Sequence, residues 1–454
     1  MKRTTDLTHG SVPKSIILFA LPLLIGNIFQ QFYNVADTAI IGNLLGDDAL
    51  ASVGASAPVC NLLIGFAGGL TNGFSVIIAR YFGANDEKNL KRSVSLTYLL
   101  SAVTALVITA AGLIGLHPLL RALNTPDEII AGSESYLRVI IVFSSLTVMY
   151  NMLAAMLRGI GNSRAPLYFL VISTLINAAL DFLFIKVFGL GIPGAAYATA
   201  ISQGLSVIMC MIYVVKKCDI VLFRKSHLIL DKKMLADLFS TGISMALMFA
   251  IVSVGSVILQ SAVNKLGPTI ITAHSAARKM DEMFMMPMST IAMAVSTFTS
   301  QNYGAGKLDR VRSGIRYALT LTTIWSAFSI LVCIVFRRTI VQLITGTSDA
   351  EVLSTAARYL IWNFPFFFVL GVLLVLRCSL QGVGKKLIPI MGSVVEFLLK
   401  ILAVVFVTKQ LGYFGICILE PVIWILCAVI VVVDYFLFIR KPYDLRTQPY
   451  AAKA

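Results

Sequence analysis

Twelve long apolar runs govern what this chain can become. They centre on residues 15–41, 50–79, 94–116, 137–157, 165–187, 193–215, 240–263, 270–300, 317–336, 357–376, 387–408 and 412–438. A helix needs about 20 mostly apolar residues to cross the hydrocarbon of a bilayer. Each run has that length. The runs are continuous instead of alternating, which favours helices over a barrel. Charged residues are 13% of the chain and hydrophobic residues 58%, whereas a soluble domain carries about 25% charge. The expected fold class is therefore an all-α membrane protein with twelve transmembrane helices. A soluble enzyme, a disordered chain and a disulfide-built secreted module are excluded. The opening Met1-Lys-Arg-Thr-Thr-Asp6 leads into an apolar run too long for a signal peptide and without a small-residue cleavage site, so it is read as retained.

Charge predicts the orientation. Of 37 Lys and Arg residues, 26 fall in segments 1–14, 80–92, 158–164, 216–233, 307–316, 377–386 and 440–453. These segments share one side if the N-terminus is inside. The opposite loops hold only 7: Arg121, Lys186, Lys265, Arg337, Arg338, Arg358 and Lys409. Positive loops stay in the cytoplasm, so a multi-pass protein of the cytoplasmic (plasma) membrane with both termini inside is expected. The net charge of +15 then reflects topology and gives no reason to expect nucleic acid as a partner.

The seven cysteines are scattered and odd in number, and the four histidines are far apart. Neither set has the spacing of a disulfide framework or a zinc site. The Gly83 and Gly304 turns lack the Gly-Lys-Ser/Thr ending of a phosphate loop. No cofactor and no catalytic residue is expected. Transport chemistry, if present, draws on an ion gradient.

The two halves repeat. Leu45-Gly46 to Gly83-Ala84 matches Leu266-Gly267 to Gly304-Ala305 at an offset of 221. Further on the offset is 223: Leu157-Arg-Gly-Ile-Gly161 matches Leu380-Gln-Gly-Val-Gly384, and Tyr136-Leu137 matches Tyr359-Leu360. It then returns to 221, with Gly194 against Gly415. Six spans per half make the repeats parallel. The expected organisation is a six-helix lobe over 1–215, a basic cytoplasmic linker over 216–236 and a second six-helix lobe over 237–454, the two lobes surrounding a central cavity.

Ionisable groups at membrane depth are costly and so mark candidate sites. Those in spans include Asp37, Asp181, Asp281, Glu282, Glu396 and Glu420. Asn177 and Asp181 are i, i+4 and share one helix face. Carboxylate and amide oxygens suit a hard cation such as sodium, and a buried carboxylate pair equally suits a proton. Arg278 stands four residues before Glu282, which allows an ion pair. Glu282 is therefore read either as a structural partner or as a second substrate or proton site. In the repeat, Asn177 corresponds to Lys400 and Thr199 to Glu420, and Glu396 lies one turn before Lys400. Glu396, Lys400 and Glu420 form an expected structural charge cluster, in which the Lys400 ammonium takes the place of a visiting cation. The alternative is that Lys400 snorkels to an interface.

Several motifs give the chain a family likeness. They are Leu21-Pro-Leu-Leu, Gln31-Phe-Tyr-Asn-Val-Ala-Asp37-Thr, Leu45-Gly-Asp-Asp-Ala-Leu-Ala, Arg80-Tyr-Phe-Gly-Ala, Leu157-Arg-Gly-Ile-Gly-Asn and Gln301-Asn-Tyr-Gly-Ala-Gly-Lys. Over roughly residues 11–440 the chain resembles the multidrug and toxic compound extrusion (MATE) transporters. The resemblance implies a secondary active antiporter that exchanges amphipathic, often cationic, compounds for protons or sodium. It also implies that Asp37, Asn177, Asp181 and Thr199 are the cation-coupling residues, and the metal ligands if the ion is sodium. This chain looks like the group with its carboxylate site in the N-terminal lobe. Spans 7 and 10 contain no Asp or Glu, a departure from the group with a C-terminal-lobe site.

By family placement, Gln30, Tyr33 and Asn151 are expected on the substrate cavity, with Glu282 a further candidate. Pro22 marks a helix kink, either fixed or moving with the protonation of Asp37. The six methionines of span 8, Met280 to Met293, are read mainly as packing, since a helix cannot turn them all to one cavity. Gly68, Gly69 and Gly73 are read as close-packing residues. A monomer is expected, with the lipid bilayer and small amphipathic molecules as partners. The alternative function is a flippase for a lipid-linked oligosaccharide or related lipid.

Overall fold

The computed structural model describes residues 6–123 and 125–440. Of the basic residues behind the charge reading, Lys2, Arg3, Lys441, Arg446 and Lys453, and the side chains of Lys409 and Arg440, lie outside it. Fourteen α-helices fill the described residues, and no strand occurs among them. The first half holds α1 (Val12–Leu45), α2 (Asp47–Gly83), α3 (Glu87–Ala122), α4 (Asp127–Val142), α5 (Ser144–Gly159), α6 (Arg164–Phe182) and α7 (Gly191–Lys217). The second holds α8 (Lys232–Val263), α9 (Pro268–Gly304), α10 (Leu308–Thr345), α11 (Ala350–Asn363), α12 (Phe367–Gly382), α13 (Leu387–Leu402) and α14 (Thr408–Tyr435).

These helices make the twelve spans. Ten stretches are long and apolar enough to cross a membrane, with α11 and α12 together forming one of them. The pair α4 and α5, bent by 50° at Phe143, makes an eleventh. The twelfth is α9, whose 37 residues carry Arg278, Lys279, Asp281 and Glu282 near the middle. Those four charges lower its hydropathy without breaking the helix. An α-helix satisfies its own backbone groups, which is what lets it cross hydrocarbon.

The repeat is written into the backbone. Gly46 and Gly267 both have positive φ (84° and 100°), and each precedes the long second helix of its half. Gly161 and Gly384 (83° and 91°) repeat this after the fourth span, and Gly191 and Gly412 (61° and 54°) before the sixth. Asn85 and Gly306 (54° and 70°) do so after the Phe82-Gly83-Ala84 and Tyr303-Gly304-Ala305 turns. Left-handed backbone ends a helix and suits Gly or Asn. In both halves the fifth span closes on a π-helical turn, Leu183–Val187 and Ala403–Val407.

The residues form two compact units, one containing Leu21–Ala246 and the other Leu7–Ala20 with the chain from Leu247 onward. The first turns of α1 thus belong with the second half, and the first part of α8 with the first half. Within the second unit, Leu7–Gly10 is tied to the start of α10. Arg310 donates to the carbonyls of Gly10 (2.7 Å) and Leu7 (3.1 Å), Lys307 to that of Thr8 (2.9 Å), and the Asn302 amide to that of Leu7 (3.1 Å). The change of unit falls beside Pro22, which lies inside α1 without interrupting it.

Within the first unit, α2 and the start of α8 touch backbone to backbone. A Cβ at Gly73 would stand 2.5 Å from Gly242 Cα, and one at Gly69 would stand 2.8 Å from Ala246 Cα. Gly68, one residue away, would meet nothing within 4 Å. Close approach at small residues replaces the hydrophobic drive that lipid does not supply. We therefore expect Gly73→Ala and Gly69→Ala to destabilise the detergent-purified protein by about 1–3 kcal/mol, the usual cost of overpacking. Gly68→Ala should leave the unfolding midpoint unchanged. Equal midpoints for all three variants would contradict this packing.

Candidate functional site

The site is built on α1, α6 and α7 of the first unit. On α1, Gln30, Tyr33 and Asp37 follow i, i+3, i+7 spacing and so share a face. On α6, Asn177 and Asp181 stand one turn apart, and both are fully buried. Thr199 comes from α7. The Tyr33 hydroxyl lies 3.1 Å from Thr199 Oγ1. With its amide nitrogen turned toward the carboxylate, Asn177 donates to Asp181 Oδ2 at 3.0 Å and accepts from the Thr199 backbone N–H at 3.2 Å. Asp37 and Asp181 are close enough for each carboxyl group to feel the charge of the other. Asp37, Asn177, Asp181 and Thr199 are thus brought together.

This group opens onto a cavity of about 290 Å³. Gln30, Tyr33, Asp37 and Thr199 line it, while Asn177 and Asp181 sit behind them. One oxygen of each aspartate, Oδ1, is buried without a hydrogen-bond partner. Among the described residues no Lys or Arg pairs with either aspartate. Two carboxylates side by side repel each other when both are ionised. Chemically, the arrangement can take up one positive charge. The oxygens of Asp37, Asp181, Asn177 and Thr199 are donors of the type a hard cation takes.

The other candidates lie elsewhere. Asn151 on α5 is absent from the lining. Its amide donates to the Thr147 carbonyl one turn back, at 2.9 Å. Glu282 belongs to the second unit, is exposed and makes no ion pair among the described residues. The expected Arg278–Glu282 pair is not formed, because Arg278 reaches Asp281 Oδ2 at 3.2 Å instead. Asp281 is buried and Glu282 points the other way, since neighbouring residues on a helix lie about 100° apart. The methionines of α9 are spread round the helix, with Met280 and Met288 fully buried and Met283 exposed. The seven cysteines are free. His274 is a core residue, 3.3 Å from the Tyr413 hydroxyl and edge-on to Tyr359.

Sequence reasoning missed several lining residues. Asn34, Asn61, Tyr136, Thr147 and Gln203 all face the cavity. The Thr147 hydroxyl donates to the Gln203 amide oxygen. An amide inside an apolar span is the available signal, the same one that marks Asn177.

Comparison with known proteins sets this geometry in a family. The MatE family model matches twice, over residues 22–183 and 244–406. The chain belongs to the MatE family.

The two matches start 222 residues apart, in keeping with the internal repeat. Among curated relatives, "Probable multidrug resistance protein YoeA" of Bacillus subtilis is 30% identical over 86% of both chains. "Probable multidrug resistance protein NorM" of Thermotoga maritima is 24% identical over 89% of this chain and 88% of its own. Among solved structures, a MATE protein in a bent conformation gives a TM-score of 0.89 at 23% identity, over 96% of this chain and 98% of that one. The straight conformation gives 0.88 at 23% identity, over 96% and 99%. These structural matches carry the twelve-helix, two-lobe fold.

The second MatE repeat handles the equivalent place differently. Lys400 is 2% exposed in its side chain. Its Nζ lies 2.9 Å from Glu396 Oε1 and 3.5 Å from Glu420 Oε1. Glu420 is in turn 3.8 Å from Arg278, which holds Asp281. The lysine stem runs past Gly255 of α8, where a Cβ would stand 3.0 Å from Lys400 Cδ. Gly255 is the repeat counterpart of Asn34, a residue of the first cavity. A buried charge that loses its partner is strongly destabilising. Lys400→Met should therefore lower stability by about 3 kcal/mol. Combining it with Glu396→Gln and Glu420→Gln should restore much of that loss in detergent unfolding. A Lys400→Met protein as stable as the parent would show that the ammonium does not hold this cluster.

Proposed function

We propose that the protein is a secondary active multidrug exporter that exchanges amphipathic, often cationic, organic compounds for a proton or sodium. The observation that carries this reading is the Asp37–Asp181 pair, which lacks a basic partner among the described residues and opens onto a cavity through Asp37. The names of its relatives as multidrug resistance proteins support the export role. On this reading the chain is not an enzyme. It belongs to the MATE group whose cation site lies in the N-terminal lobe, over 1–215, followed by the 216–236 linker and the C-terminal lobe. It works as a monomer in the plasma membrane with both termini cytoplasmic.

On this reading each residue has a role. Asp37 and Asp181 hold the coupling cation, Asn177 and Thr199 complete its oxygen shell, and Gln30 and Tyr33 meet the compound. The Tyr33–Thr199 hydrogen bond links the cavity wall to the cation seat, so filling one affects the other. Pro22 has no N–H to donate, which leaves α1 able to bend. In the second lobe Lys400 supplies a tethered positive charge, so that lobe has no need of an ion. A uniform response of both lobes to the gradient is not expected.

The test uses everted vesicles with pH and sodium gradients imposed separately, and ethidium or norfloxacin as the exported compound. Asp37→Asn and Asp181→Asn should each remove gradient-driven efflux, to below about a tenth of the parent rate, as expected for loss of a functional intramembrane charge. Both variants should still insert at parental levels. Full efflux by either variant would exclude the site. Absence of efflux by the parent, together with loss of a lipid-linked glycan on deletion, would favour a flippase instead.

A further inference from the structure

The far end of the second unit carries a charge arrangement that the transport reading does not use. α10 starts at Leu308 and runs for 38 residues, so its two ends lie near opposite membrane faces. At the later end, Arg337 and Arg338 of α10 meet Arg358 of α11 around a recess of about 250 Å³. Ser354, Ala357, Ile361 and Trp362 complete its lining. Three of the seven basic residues counted in the loops of the poorly basic side thus gather in one place.

Among the described residues none of the three guanidinium groups has a carboxylate partner. Arg337 donates to the Ile334 carbonyl within its own helix, and its Nε is buried without any partner. Asp349 is engaged as the cap of α11, accepting from the Glu351 N–H at 2.8 Å.

The internal repeat explains the vacancy of charge. The matching corner of the first unit contains Glu134, which bonds Arg138 at 2.8 Å and His117 at 3.2 Å. Arg121 donates to His117 at 3.1 Å. That corner neutralises itself. At the offset of 223, Glu134 corresponds to Ala357, Ser135 to Arg358, Arg138 to Ile361 and Val139 to Trp362. At the offset of 221, Leu116 and His117 correspond to Arg337 and Arg338. The second unit has lost the acid, gained arginines and placed an apolar side chain, Ile361, where a cation stood.

The recess also adjoins the surface that meets lipid. On α10 the preceding turns expose Leu331 (61%), Ile334 (60%) and Phe336 (51%). Arginines at the edge of such a band, beside a tryptophan, stand where phospholipid headgroups lie. Guanidinium groups bind phosphate oxygens through paired, charge-assisted hydrogen bonds. An ion lacking an apolar part would leave Ile361 and Trp362 unused.

We infer that this recess is a binding site for the phosphate headgroup of an anionic phospholipid. Arg337, Arg338 and Arg358 hold the phosphate, and Ile361 and Trp362 cover the glycerol and the first acyl carbons. With the orientation proposed above, the lipid comes from the outer leaflet. The site is independent of the Asp37–Asp181 seat, so either can fail without the other.

The test is lipid retention by the full-length protein in a neutral detergent, read by native mass spectrometry. The probes are dioleoyl phosphatidylglycerol, dioleoyl phosphatidylcholine and inorganic phosphate. Phosphatidylglycerol should be retained preferentially. Ala357→Glu, which restores the acid of the first repeat, should weaken that retention roughly tenfold by occupying the arginines. The combined Arg337→Gln, Arg338→Gln and Arg358→Gln variant should do the same if the glutamate variant folds poorly. Equal retention of phosphatidylcholine would overturn the proposal. So would phosphatidylglycerol retention unchanged in both variants. Displacement by inorganic phosphate at concentrations matching the lipid would reduce the site to a simple anion site and overturn the lipid assignment.

Discussion

A charge inside a bilayer cannot be left alone. It must meet an opposite charge, accept or lose a proton, or line a watery space. That constraint sorts nearly every ionisable residue in the spans of this protein. In the second unit the groups meet each other: Arg278 with Asp281 and Glu420, and Lys400 with Glu396 and Glu420. In the first unit Asp37 and Asp181 lie together and, among the described residues, pair with no base. The helices that carry these groups are otherwise apolar. Their placement therefore decides which lobe is internally satisfied and which has an unmet demand for positive charge.

Much of this was legible in the sequence because membrane helices are constrained by length and composition. The spans follow from apolar runs, and α9 counts as one despite its charges because the repeat sets it against α2. The i, i+4 relation of Asn177 and Asp181 is a property of the helix itself, so their shared face needs no tertiary information. Glu396 and Lys400 are adjacent for the same reason. What sequence did not give is the choice between two acids on one helix. Asp281 and Glu282 differ by one residue and about 100° of rotation, and only packing decides which one Arg278 meets. Asn151 shows a similar limit. Its polarity is real, but its own helix absorbs the amide through the Thr147 carbonyl, so polarity alone did not place it on the cavity. Gln203 and Thr147, which do line the cavity, bond each other across α7 and α5, a pairing without local spacing to announce it.

The repeat explains why so divergent a pair of halves keeps one architecture. Positions with left-handed backbone recur at Gly46 and Gly267, Gly161 and Gly384, and Gly191 and Gly412. A side chain there strains the turn, so these positions fix where each helix starts. Between the turns the sequence is free to change chemistry as long as each change finds its partners.

Two corners of the fold show that freedom used in opposite directions. At membrane depth, the first half has an acid pair open to a cavity, and the second half fills the matching place with Lys400 and two glutamates. At the far end, the first half closes its charges around Glu134, and the second half replaces that glutamate by Ala357 and leaves three arginines lining a recess. Each lobe is self-sufficient where the other is open. The unmet charge is negative in the first lobe, inside the membrane, and positive in the second, near its edge. A mobile cation suits the first position because it can enter through the cavity and leave. A headgroup anchored by its acyl chains suits the second because it is already present in the bilayer at high local concentration. On the two proposals above, the duplicated backbone supports one exchangeable site and one that a lipid can hold continuously, and the difference comes down to a few substitutions at matched positions.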